Sequence, residues 1–140
     1  MKIFRRNLYT YYLADNVTLD DNKCGKWMCH FNNLSFAENI CQNAVINGIV
    51  EEAKHSNNVD GVCFFYLNID DIEGHKCVIE YFLKNKLIPK TKKGRYYNIP
   101  FKLDEQTRKG EYAEFGNFTP KLTLSDFVNL DTGEFLTESD

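Results

Sequence analysis

The run Val62-Cys63-Phe64-Phe65-Tyr66-Leu67 is apolar or aromatic on both of its alternations, and it constrains this chain more than any other stretch. A strand without a polar face has to be covered on both sides, so residues 62–67 are expected at the centre of a sheet. The remaining elements must then be arranged round that strand.

Residues 3–13 are aromatic and apolar enough for a first strand, followed by a polar turn over 15–24. Lys26–Phe31 alternates, with Trp27, Cys29 and Phe31 on one side and Lys26, Met28 and His30 on the other. Ser35-Phe36-Ala37-Glu38 has the form of a capping box, in which the serine oxygen accepts a free backbone N–H and the glutamate reaches back. Phe36, Ile40, Ala44 and Val45 recur at helical spacing up to a stop at Gly48. Asp70-Asp71 opens a second helix whose buried stripe is Ile72, Ile79, Phe82 and Leu83, ending near Asn85. Lys54-His55-Ser56 reads as a polar loop near a helix or strand end, where backbone donors would be free. Arg95–Lys102 returns as a strand, and Pro100, which lacks a ladder donor, puts it at an edge or a bulge. Residues 127–136, turning at Asp131-Thr132-Gly133, form a hairpin or a strap. The order strand, strand, helix, strand, helix, strand predicts an α+β fold with helices on one face of a mostly antiparallel sheet.

The chain of 140 residues is expected to be one domain over 1–140, with 113–140 an acidic strap or hairpin tail. Its apolar runs are far shorter than the roughly 18 residues of a membrane span. Met1-Lys2-Ile3-Phe4-Arg5-Arg6 lacks the apolar run of a signal peptide. A cytoplasmic location is therefore expected, and the five cysteines, an odd set without framework spacing, are expected to be reduced. Charge is unevenly spread. Residues 76–109 hold ten Lys and Arg against three acids, whereas 110–140 hold one Lys against seven acids. A net charge of -3 argues against a general coat for duplex nucleic acid, but the basic middle suits an anionic partner.

No familiar catalytic or metal pattern is complete. Asp131-Thr132-Gly133 is the aspartic-protease tripeptide, yet seven residues follow it, too few for the rest of such a site, and a turn is the better reading. Cys24 and Cys29-His30 lack the second ligand cluster a zinc site needs, so no metal and no cofactor is expected. Lys26 beside Trp27 combines an anion contact with a stacking platform, although the same tryptophan suits a core position. Lys90–Arg95 is either a solvated turn or a basic lip with Tyr96 and Tyr97 interleaved. Arg108 offers the planar fork that grips phosphate or carboxylate with two hydrogen bonds.

Gly25-Lys26-Trp27-Met28, the capped helix, Ala53-Lys54-His55-Ser56 and Lys102-x-Asp104-x-x-Thr107-x-x-Gly110-x-Tyr112, taken together, resemble the basophilic-leukaemia-expressed protein family over roughly residues 24–112. The resemblance implies the fold of the cap-binding translation initiation factor 4E, a curved antiparallel sheet backed by helices with a concave side suited to a nucleotide. Cap-binding factors use two tryptophans where this chain has Trp27 alone. The same segment order is distantly similar to bacterial phosphothreonine lyases, which use a lysine base, a histidine acid and arginine clamps. Their Lys-x-His window reads Lys26-Trp27-Met28 here, with His30 further along the same strand face. Three functions follow as expectations. The first is binding of a phosphate-bearing nucleotide or phosphopeptide by Lys26, Trp27, Lys54, His55, Lys102 and Arg108. The second is lyase-like catalysis with Lys26 and His30. The third is a phage-borne or defence-related inhibitor that meets a protein partner through the acidic surface of 110–140.

Overall fold

A computed structural model describes residues 1–104 and 120–137. Seven strands form one open antiparallel sheet: β1 (Lys2–Arg6), β2 (Tyr9–Leu13), β3 (Cys24–Phe31), β4 (Glu52–Ser56), β5 (Gly61–Asn68), β6 (Pro100–Leu103) and β7 (Leu122–Thr123). Their spatial order is β1-β2-β4-β5-β3-β6-β7, so the fully apolar run lies on the middle strand. Two α-helices among the described residues, α1 (Leu34–Ile46) and α2 (Ile72–Lys84), pack on the same side of it. The chain is thus α+β, with its helices on one face of an antiparallel sheet.

Strand alternation divides the side chains. Trp27, Cys29, Cys63, Phe65, Ala53, Tyr12 and Phe101 point toward the helices and are buried. Each fully buried large apolar side chain contributes about 1.5–3 kcal/mol over an exposed one. The expected single strand over 3–13 is instead a hairpin. Asn7 adopts φ 57° between β1 and β2, a conformation asparagine tolerates well, and lets the chain reverse within the aromatic run. Residues 54–56, expected in a loop, belong to β4, whose Ala53 and His55 face the core. Five residues with two charges look polar in isolation, but one face of a strand is enough to anchor it.

Both helices start and stop for local reasons. Asn33, not Ser35, caps α1: its side chain accepts from Phe36 N at 3.2 Å. Because β3 runs on to Phe31, the helix has to begin within a two-residue link, and Asn33 is the acceptor in place there. The earlier start rotates the buried stripe to Ala37, Ile40, Cys41, Ala44 and Val45 and leaves Phe36 exposed. Gly48, at φ 71°, ends the segment as expected. In α2 the Asp71 carboxylate caps Gly74 N at 3.0 Å, and Asn85 closes the other end. Ile72 is exposed, and His75 and Val78 take the place expected for it and Leu83.

His75 ties α2 to the sheet. Its Nδ1 accepts from Trp27 Nε1 at 3.0 Å and its Nε2 donates to Ile69 O at 2.8 Å, which fixes a neutral ring. Phe101 and Phe127 stack against the same pair. Gly25 makes room for this arrangement: a Cβ there would lie 2.5 Å from the Phe101 ring and 2.7 Å from Lys102 O. Nearby, the thiols of Cys29 and Cys41 both hydrogen-bond to Cys63, so those two are pushed up by that bond and by burial while Cys63 is lowered. Cys77 is the one exposed cysteine, and all five are free.

The strand expected over Arg95–Lys102 shrinks to Pro100–Leu103. β6 pairs with β3 at Leu103 and Lys102 alone, opposite Gly25 and Lys26. Upstream, Tyr97 N bonds Pro89 O and Tyr96 N bonds Leu130 O, which draws the chain away from β3. Pro100, with no N–H to give, sits where that pairing has lapsed. Residues 127–136 fold back through a single bridge between Val128 and Phe135, with Gly133 at φ 79° in the turn.

Burial lowers the pKa of His75, so the unfolded chain binds its proton first as pH falls. The neutral ring therefore contributes its full stability above about pH 6.5, the ordinary histidine value, and progressively less below it. Thermal melts from pH 7.5 to 5 should show this loss, and His75→Phe should remove the part due to this residue. The same variant orphans Trp27 N–H and Ile69 C=O, at about 1–3 kcal/mol for each buried group left unpaired. Gly25→Ala should cost about 1–3 kcal/mol through overpacking against β6, read as a lower denaturant midpoint at unchanged slope.

Candidate functional site

The second face of the sheet carries the other alternation of each strand, and its residues line up in rows. One row runs Phe4, Tyr11, Lys54, Phe64, Met28 across β1, β2, β4, β5 and β3. The next runs Leu13, Glu52, Tyr66, Lys26, Lys102. Lysines from three strands therefore share one face, two of them as direct cross-strand partners.

Lys54 stands at the centre of an aromatic enclosure. Its Nζ lies 4.4 Å from the ring centre of Tyr9, 5.0 Å from Phe64, 5.4 Å from Tyr11 and 5.7 Å from Tyr66. β4 lies between β2 and β5, so the register itself places two rings on each side of the ammonium. Ring faces attract a cation by about 0.5–2 kcal/mol, more when water is excluded. Among the described residues no carboxylate forms an ion pair with Lys54. Burial first, and the nearby Lys26 second, lower its pKa, opposed by Asp104 and Glu52. Glu52 moves the other way: burial raises it, with Lys54 opposing. The amine is displaced downward and the carboxyl upward because both are drawn partly out of water on the same strand.

Lys26 Nζ holds Asp104 Oδ1 at 3.0 Å, with the lysine side chain 12% exposed and the aspartate 32%. Tyr66, 7% exposed, has its phenol pushed well up by burial and by the two carboxylates. Cys24, on the same face, is raised to about 12 by burial and Asp104. Three lysines and two carboxylates thus stand together over a floor of rings.

Two of the expected ligand contacts lie elsewhere. Trp27 is 0% exposed on the helix side, with its indole N–H taken by His75, so it cannot stack on a ligand. His55 is 1% exposed on that side too, hydrogen-bonded to Tyr12 Oη at 3.0 Å and to Ser56 O. Both misplacements have one cause: in a strand, neighbours in sequence point to opposite faces, so Lys26 and Lys54 cannot share a site with the residue that follows each. His30 is exposed on the lysine face, and Arg108 lies outside the described residues. Arg95 binds Asp131 at 2.5 Å, so the basic turn at 90–95 is anchored to the C-terminal turn. The sequence reading missed Glu52, Asp104 and the four rings round Lys54. Their signal was the i, i+2 spacing of Glu52 with Lys54, Tyr9 with Tyr11 and Phe64 with Tyr66, legible only once residues 52–56 are taken as a strand.

No protein-family profile matches the chain, and no curated protein matches it. No helix among the described residues is long and apolar enough to cross a membrane.

A titration of lysine Nζ resonances should find Lys54 losing its proton at lower pH than the exposed lysines. Lys26→Met should move it back up, since it removes a neighbouring cation. A Lys54 signal that titrates with the bulk would refute the enclosure.

Proposed function

We propose that this chain is a cytoplasmic binding protein with the cap-binding initiation factor 4E-like fold, and that it holds a phosphate-bearing ligand, a nucleotide or a phosphopeptide, on the sheet face opposite its helices. The observation that carries the reading is the meeting of Lys26, Lys54 and Lys102 on that face, two of them opposed in register. The antiparallel sheet with helices on one side is the layout that the family resemblance implies. A planar base would rest on Tyr9 and Tyr11 of β2, both half-buried, in the role first given to Trp27. Arg108 remains a proposed phosphate contact from beyond the described residues.

A second reading, a lyase-like enzyme, is favoured by one arrangement. His30 shares the β3 face with Lys26, and Lys54, two strands away on that face, carries an amine lowered by burial. General acid–base help of this kind is typically worth about 10²–10⁴-fold.

Thermal shift with nucleoside phosphates and phosphothreonine peptides tests the first reading. At 100 times its dissociation constant, a ligand should add about 2.7 kcal/mol. Lys26→Ala should abolish the shift and Lys54→Met reduce it, with both proteins still folded. No shift with any phosphorylated compound would reject binding. Phosphate release from a phosphothreonine peptide, lost in Lys54→Met, would move the assignment to the enzyme.

A further inference from the structure

The separation of β6 from β3 leaves a second feature, an unpaired strand edge at the margin of the lysine face. β3 pairs with β5 along its full length, Cys24–Phe31, but with β6 at Gly25 and Lys26 alone. From Trp27 to Phe31 every second residue turns its N–H and C=O to the outer edge. Among the described residues no backbone group outside β5 hydrogen-bonds there. An edge of this kind is a template for another strand, and proteins ordinarily blunt or cover it.

Here the edge is sunk in a cleft instead. A hollow of ≈ 780 Å³ runs between β3 and the segment 86–100, lined by Met28, His30, Lys86, Leu87, Ile99 and Lys102 among others. A second hollow of ≈ 560 Å³ shares His30, Lys86 and Leu87 and continues it past the end of the strand. The described lining of the larger hollow contains two lysines, a histidine and no carboxylate. The rest of the wall is mostly apolar, from Met28, Leu87, Pro89, Ile99 and Pro100, with Tyr97 and Asn98 as its other polar members. The edge over five residues spans about 17 Å, the length of a peptide of five or six residues in extended form.

We infer that this cleft receives an extended acidic segment of a partner protein, added as a strand to the outer edge of β3. Backbone hydrogen bonds to residues 27–31 supply the affinity common to all such peptides. Selectivity comes from the alternation of the incoming strand. Side chains on one face meet Lys102 and His30, and those on the other meet Leu87 and Ile99, so acidic and apolar residues must alternate. Lys86, exposed at the mouth, adds a cation to the same side of the balance. Pro100 keeps β6 from closing the gap, because it has no N–H with which to extend the ladder.

The probe is acetyl-Glu-Val-Glu-Val-Glu-Val-amide, with the lysine counterpart of the same pattern and a version N-methylated at alternate backbone amides. Amide exchange of residues 27–31 is read by NMR. The acidic peptide should slow exchange of the outward amides at least tenfold, the lysine peptide should not, and N-methylation should abolish the effect. The double variant His30→Glu, Lys86→Glu, both at exposed positions and checked for an unchanged melting temperature, should reverse the preference toward the lysine peptide. Absence of protection, equal protection by the N-methylated peptide, or an unchanged charge preference in the double variant would each overturn the inference. Failure of the phosphate screen would leave this result untouched, because the peptides carry no phosphate.

Discussion

The hydrogen bond from Trp27 to His75 joins the sheet to α2 inside a shell of aromatic rings. It settles which face of β3 is interior, and with it the facing of every strand paired to β3 through the register. A buried indole N–H must have an acceptor, and a buried imidazole must have a fixed tautomer. Each residue supplies what the other requires. The consequence is that Lys26 and Met28 are committed to the opposite side, together with Lys54, Phe64 and Tyr66.

The two faces of the sheet therefore differ in kind. The helix side is a hydrocarbon and thiol core in which polar atoms appear as satisfied pairs. The other side assembles lysines, carboxylates and tyrosines within reach of one another. One lysine is held by a carboxylate and another by rings, two ways of keeping a cation half out of water.

Much of the fold was legible in the sequence because it depended on local rules. The doubly apolar run identified the central strand, Gly48 and Asp71 marked helix ends, and the alternation of Lys26–Phe31 was read with its correct faces. The errors arose where tertiary pairing outweighs local pattern. Residues 52–56 have too many charges to look like a strand until they are paired on both sides, and Ser35 lost the cap to Asn33 because of where β3 ends. For the site, the cations on the strands could be listed, but the partition of their neighbours could not. Trp27 and His55 followed the lysines in sequence and so were drawn into the wrong face.

The buried thiols Cys29, Cys41 and Cys63 beneath the helices, with Cys77 at the surface, give the chain an internal stopwatch. A thiol-alkylating reagent meets Cys77 immediately and reaches Cys29, Cys41 and Cys63 when the layer of helices lifts. The gap between the two rates reports how often the molecule breathes, without any label having to be introduced.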